Sequence, residues 1–184
     1  MKSIKIASRY AKALLNLVKE KGELDQAYAD MKLIADTCRE SKDLVLLLKS
    51  PIVKSDKKID ILDKIFSSHV SRVSQNFISI IIEKGREGYL PAIVEEFQRQ
   101  YKREKKIITA VVTSAIGLDD ELREQVLKVV KDSFKSEVEL IKKENESLIG
   151  GLIIRIGDKQ YDASIQRKLN DLRKTFKERH YTNN

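Results

Sequence analysis

The sequence predicts a mainly α-helical protein with a smaller α/β part, and three observations carry that prediction. Only two prolines, Pro51 and Pro91, interrupt the 184 residues, so helices can run almost unbroken through the first half. Apolar residues in that half recur with the 3.6-residue period of amphipathic helices. At Lys106 the pattern changes, because Ile107-Ile108-Thr109-Ala110-Val111-Val112-Thr113 is β-branched and compact, without the spacing of a one-faced helix. The expected architecture is an N-terminal six-helix bundle over residues 1–105 followed by a small C-terminal α/β domain over residues 106–184.

Each element follows from local chemistry. Ala7, Tyr10, Ala11, Leu14 and Val18 fall at i, i+3, i+4, i+7 and i+11 and define the first helix. Beyond Gly22, a second is defined by Leu24, Ala27, Tyr28, Met31, Ile34, Ala35 and Cys38. A shorter helix ends at Leu48, before Ser50-Pro51. Ser55 is the candidate N-cap of a fourth, carrying Ile59, Leu62, Ile65 and Phe66, and Ser71 that of a fifth, which stops at Gly85. Pro91 suits the first turn of a sixth, with the stripe Leu90, Ile93, Val94, Phe97 and Tyr101. Its last turns hold Arg99, Lys102, Arg103 and Lys105, cations at the negative end of the helix dipole.

In the second half, Asp119 or Asp120 caps a helix carrying Leu122, Val126, Val129, Val130 and Phe134. Val138 to Ile141 and Leu148 to Ile156 read as two further strands, and Gly157-Asp158 as a tight hairpin turn into a short strand at Gln160 and Tyr161. A last helix, with Asp162 as its cap, presents Ile165, Leu169, Leu172 and Phe176 at i, i+4, i+7 and i+11. The joint Lys102-Arg103-Glu104-Lys105-Lys106 is charge-rich and contains no Gly/Ser linker.

Composition excludes whole classes. With 41% apolar and 35% charged residues the chain can build a core and solvate its surface, so disordered and collagen-like classes drop out. Cys38 is the only cysteine, so no intrachain disulfide forms and a reducing compartment is expected. The longest apolar runs, Leu44 to Leu48 and Phe77 to Ile82 with Ser79 inside, fall far below the ~20 residues of a bilayer span, and neither a transmembrane segment nor a signal peptide is expected.

Catalytic chemistry is not expected either. Gly150-Gly151 lacks the Gly-Lys-Ser/Thr run of a phosphate loop, and Gly85-Arg86-Glu87-Gly88 lacks the spacing and preceding strand of a dinucleotide fingerprint. His69, His180 and Cys38 lie on three separate segments, so neither a metal nor a cofactor is expected. Cys38 reads as a buried small hydrophobe, His180 as a solvated tail residue, and the carboxylates beside Lys or Arg on helix faces as surface charges. No residue reads as catalytic.

Two features point to binding. The chain has 36 Lys and Arg against 28 Asp and Glu, a net charge of +8. Both signs are mixed along most helices, and the densest basic stretch is Arg167, Lys168, Arg173, Lys174, Lys177 and Arg179, opposed by Asp171 and Glu178. A basic protein binding nucleic acid or an acidic surface is therefore the second function reading. The sharper feature is surplus apolar surface. The first helix carries a second stripe, Ile6, Tyr10, Ala13 and Leu17, and Phe77, Ile78, Ile80, Ile81 and Ile82 cannot all point one way from the fifth. The fifth helix is then either buried all round at the centre of the bundle or turned partly towards a partner. A groove between these two helices would accept an amphipathic helix of another protein.

Three segments carry a family resemblance: Ala7-Ser8-Arg9-Tyr10-Ala11-Lys12-Ala13-Leu14; Gln75-Asn76-Phe77-Ile78 leading to Gly85-Arg86 and Leu90-Pro91 with Phe97; and Leu148-Ile149-Gly150-Gly151-Leu152-Ile153-Ile154-Arg155-Ile156-Gly157-Asp158. In this order and spacing the chain resembles the delta subunit of the F-type ATP synthase, the family of the mitochondrial oligomycin sensitivity-conferring protein. It departs from the pattern at Asp162-Ala163-Ser164, where the family usually has Asp-Gly-Ser, and at Glu146, where proline is frequent. The resemblance implies a helical bundle followed by an α/β domain. It implies a non-catalytic subunit of the peripheral stalk, linking the catalytic head to the membrane-anchored b subunit and resisting rotor torque during proton-driven ATP synthesis.

The same resemblance implies that the alpha subunit of the head inserts its N-terminal helix between the first and fifth helices, which selects Tyr10, Ala13, Leu17, Ile78 and Ile82. It implies that the C-terminal domain meets the b subunit, with Ile165, Leu169, Leu172 and Phe176 as candidates unless they cover the small sheet. Neither nucleic acid nor a second copy of the chain is an implied partner. Membrane contact is expected only through the complex, on the cytoplasmic face of the bacterial inner membrane.

Overall fold

The computed structural model describes residues 2–181 apart from 116 and 118, with side chains for residues 4–176 of these. The chain divides into two compact units, Met1–Lys105 and Lys106–Asn184. The expectation for His180, and the cations Lys177 and Arg179, lie outside the described side chains.

The first unit contains α1 (Lys2–Lys21), α2 (Leu24–Glu40), α3 (Lys42–Lys49), α4 (Ser55–Phe66), α5 (Arg72–Glu83) and α6 (Leu90–Glu104), the last preceded by a single 3-10 turn at Glu87–Tyr89. The α6 helix is the hub. It packs on α1 and α2, while α5 packs on α4 and α2. The core is drawn from the expected stripes, with Ala7, Ala11, Leu14 and Val18 of α1, Met31 and Ile34 of α2, Leu62 and Phe66 of α4, and Ile93, Val94 and Phe97 of α6 all buried. Alanines on α1 let α6 approach closely, and Gln100 Nε2 donates to the Ser8 carbonyl at 3.3 Å across that contact.

Polar groups fix how the helices meet. Ser71 caps α5 by accepting from the Ser74 amide, as its sequence position predicts. Ser55 does not act as a cap: it is the first residue of α4, and Lys54 in extended conformation occupies the cap position without a side-chain bond. A carboxylate and an amine are buried beneath the helix faces. Asp30 of α2 accepts from the Ser71 amide (2.9 Å) and Ser74 Oγ (2.6 Å), tying α2 to the start of α5. Lys58 of α4 donates to the carbonyls of Leu48 (3.1 Å) and Ser50 (2.8 Å) and to Glu87 Oε1 (2.6 Å), closing the end of α3. The expectation that carboxylates are surface charges therefore fails at Asp30 and also at Glu96, which is buried beside Arg99 and Gln100.

The second unit contains β1 (Ile108–Ser114), α7 (Asp120–Phe134), β2 (Val138–Glu144), β3 (Leu152–Ile156), β4 (Lys159–Asp162) and α8 (Ile165–Tyr181). The sheet order is β2-β1-β3-β4, with β1 parallel to β2 and the other pairs antiparallel. A parallel pair needs a crossover, and α7 supplies it. Ile108, Ala110 and Val112 alternate onto the α7 side, where they join Val126, Val130, Leu140, Ile154 and Ile156 in one core. Asp119 caps α7, accepting from the Leu122 amide at 2.8 Å.

Two sequence boundaries are corrected here. The strand expected over Leu148 to Ile156 begins only at Leu152. Asn145 turns the chain by accepting from the Ser147 amide and hydroxyl and from the Leu148 amide. Gly151 then adopts φ +80°, where a Cβ would stand 2.4 Å from the Ala163 carbonyl oxygen, so only glycine fits this close backbone approach. Gly157-Asp158 does form the two-residue hairpin turn, with Gly157 at φ +55°. The cap of α8 is Ser164 rather than Asp162: Ser164 Oγ accepts from the Arg167 amide at 3.2 Å, while Asp162 Oδ1 holds the Ser164 amide at 2.9 Å. Ala163 is not among the residues with positive φ, so alanine fits where the family usually has glycine.

Candidate partner-binding surfaces

On α1 the helical period divides the two stripes. Ala7, Ala11, Leu14, Leu15 and Val18 face the bundle, while Ile6 and Tyr10 are half-buried and Ala13 and Leu17 are exposed, Leu17 by 43%. The outer stripe sits about a third of a turn round the helix from the core stripe, so no rotation of α1 could bury both against the same neighbour. Ala13 and Leu17 thus lie outside the core, while Tyr10, which the period places on both stripes, sits half-buried between them.

On α5 the expectation has to be corrected. Ile78 and Ile82 are 4% and 0% exposed and belong to the bundle core, together with Phe77 and Ile81. They lie on the buried face of α5, so neither is presented to solvent. The apolar residue that α5 leaves outside is Ile80, 48% exposed, with Val73 half-buried beside it. The fifth helix is therefore not buried all round. The signal was present in the sequence: Phe77, Ile78, Ile81 and Ile82 form one face at i, i+1, i+4 and i+5, and Ile80 falls off it.

On α8 all four predicted residues are open. Ile165, Leu169, Leu172 and Phe176 are between 42% and 63% exposed, and α8 packs closely on none of the strands. They do not cover the sheet. The start of α8 is anchored by the Ser164 cap, the Ile165 amide donating to the Gly150 carbonyl at 3.0 Å, and contact of the Ile165 side chain with Gly150. Arg167, Lys168, Arg173 and Lys174 are exposed on the same helix.

The titratable groups behave as supports. Burial pushes the Cys38 thiol up to about 11, which leaves it protonated and unreactive at neutral pH, in keeping with its place on the α2 core stripe. Hydrogen bonds from Lys105 and Tyr101 hold Asp25 below the usual carboxylate range, joining the start of α2 to the end of α6. Tyr101 also stacks on Tyr28, ring centroids 4.0 Å apart. Among the described residues no group of three His, Cys, Asp or Glu side chains could hold a metal ion.

The chain is thus a helical bundle joined to a small α/β unit, each leaving an apolar helix face open. A sequence model of the ATP synthase delta (OSCP) subunit matches residues 6–176. The ATP synthase subunit delta of Cytophaga hutchinsonii is 36% identical over 97% of both chains, and that of Christiangramia forsetii is 36% identical over 98% of both. The subunit delta of Chlorobium chlorochromatii is 35% identical over 95% of this chain and 98% of its own. The fold is also that of a chain in the Toxoplasma gondii mitochondrial ATP synthase hexamer, with a TM-score of 0.72, 20% identity, and coverage of 92% of this chain and 96% of that one. The chain belongs to the ATP synthase delta (OSCP) family, non-catalytic components of the peripheral stalk of a membrane-associated complex. No described helix is long and apolar enough to cross a membrane.

Proposed function

We propose that this subunit joins the alpha subunit of the catalytic head to the membrane-anchored b subunit on the cytoplasmic face of the bacterial inner membrane. By holding the head against rotor torque it lets proton flow be converted to ATP synthesis. The observation that carries the reading is the outer stripe of α1, where Tyr10, Ala13 and Leu17 remain accessible although the bundle core is complete without them. An amphipathic alpha-subunit helix would lie along this stripe; on α5 the exposed Ile80, and not the buried Ile78 and Ile82, is the residue open to a partner. Burial of apolar surface at about 25 cal/mol per Å² supplies slow dissociation once ordering costs are met. The b subunit would meet the second unit along Ile165, Leu169, Leu172 and Phe176.

The test is a charge placed on the α1 stripe. Ala13→Glu is solvated in the free protein and costs it only a few tenths of a kcal/mol. Against a partner helix the same carboxylate is desolvated and unpaired, so titration calorimetry with the alpha-subunit N-terminal peptide is expected to show ~100-fold weaker binding at an unchanged melting temperature. Unchanged affinity would move the site off α1, and a collapsed melt would make Ala13 a core residue.

A further inference from the structure

We propose that α8 docks a partner helix whose apolar seam is flanked by acidic side chains. This deepens the assignment of α8 as the b-subunit face and rests on it only for the identity of the partner. At 100° per residue, Ile165, Leu169, Leu172 and Phe176 span an arc of about 60°. That is the narrow seam of a helix pair, at a and d spacing, and not the broad apolar face with which a helix lies in a lipid surface. The seam is exposed along its length, and α8 packs closely on none of the strands.

Cations stand on both edges of the seam. Lys168 projects from one side and Arg173 from the other, both exposed, and among the described residues neither has an ion pair. The carboxylate of this stretch, Asp171, lies away from the seam and faces Arg167 Nε at 3.7 Å. Edge positions of paired helices set the sign of the partner, so Lys168 and Arg173 select Asp and Glu across the seam and disfavour a basic helix.

The experiment uses the full chain and two synthetic four-heptad peptides with identical Leu/Ile seams, one with Glu at the flanking positions and one with Lys. The chain is expected to bind the Glu-flanked peptide at least ~10-fold more tightly at low salt, with the preference shrinking in 0.5 M salt. Lys168→Glu combined with Arg173→Glu is expected to invert the preference at an unchanged circular dichroism spectrum, both side chains being exposed. Equal binding of the two peptides, or a preference that survives the double reversal, overturns the proposal. So does a chain that ignores both peptides and binds phosphatidylglycerol vesicles instead. Leu169→Ser with Leu172→Ser, assayed against the soluble segment of b, tests the partner separately: unchanged b binding removes b from α8, while the peptide preference still decides the chemistry.

Discussion

Asp30 is the residue on which the seating of α5 turns. Its Oδ2 takes the Ser71 amide and the Ser74 hydroxyl while Oδ1 takes Gln26, all beneath a surface that leaves the residue 2% exposed. Asp30→Ala strands the Ser71 amide with no acceptor and leaves the Ser74 hydroxyl only its longer bond to Ser71 Oγ, and the expected loss is about 3 kcal/mol, read as a lower urea midpoint. Ser74→Ala alone removes one donor and should cost about 1 kcal/mol in the same measurement. Nothing in the sequence around Asp30 distinguishes it from other helical carboxylates, because Ser71 and Ser74, the partners that tie it to α5, lie 41 and 44 residues away. Cys38 differs: its position on an apolar stripe already implies burial, and the raised thiol follows from that.

At the scale of elements, α7 ends on a strained residue. Lys135 occupies the left-handed region at φ 48°, ψ 39°, donating its amide to the Lys131 carbonyl at 2.8 Å. A side chain makes that conformation costly, so Lys135→Gly is expected to stabilise the second unit by roughly 0.5–1 kcal/mol, seen as a higher melting temperature. The helices were legible because period and punctuation agree: Gly22 and Gly85 end α1 and α5, and Ser71 and Asp119 start α5 and α7. Exchange of the cap between Asp162 and Ser164 was less legible, since both side chains take part and only geometry assigns their order. The run from Leu148 to Gly151 is apolar enough to resemble a strand, but Gly151 must let the chain pass against Ala163, a contact that exists only once β3 and α8 are in place. The open faces were legible in the same way: the helical period sets Ile80 apart from the face of Phe77, Ile78, Ile81 and Ile82, whereas the turning of that four-residue face into the core depends on the packing of the bundle.

For the whole molecule, the division at Lys105 makes a prediction about folding. The six helices close their own core, and α6, Asp30 and Lys58 all find their partners before residue 106. A chain ending at Lys105 is therefore expected to show one cooperative thermal transition in circular dichroism, and a gradual melt would place the boundary elsewhere. Lys58 also gives this unit a chemical timer. Among the described residues it is the one buried lysine, with its ammonium held by two carbonyls and a carboxylate. An acylating reagent in solution will mark the surface lysines within one exposure, but it reaches Lys58 only when α3, α4 and the turn at Glu87 come apart. The rate at which that one amine is marked, followed by peptide mass, counts the openings of the bundle.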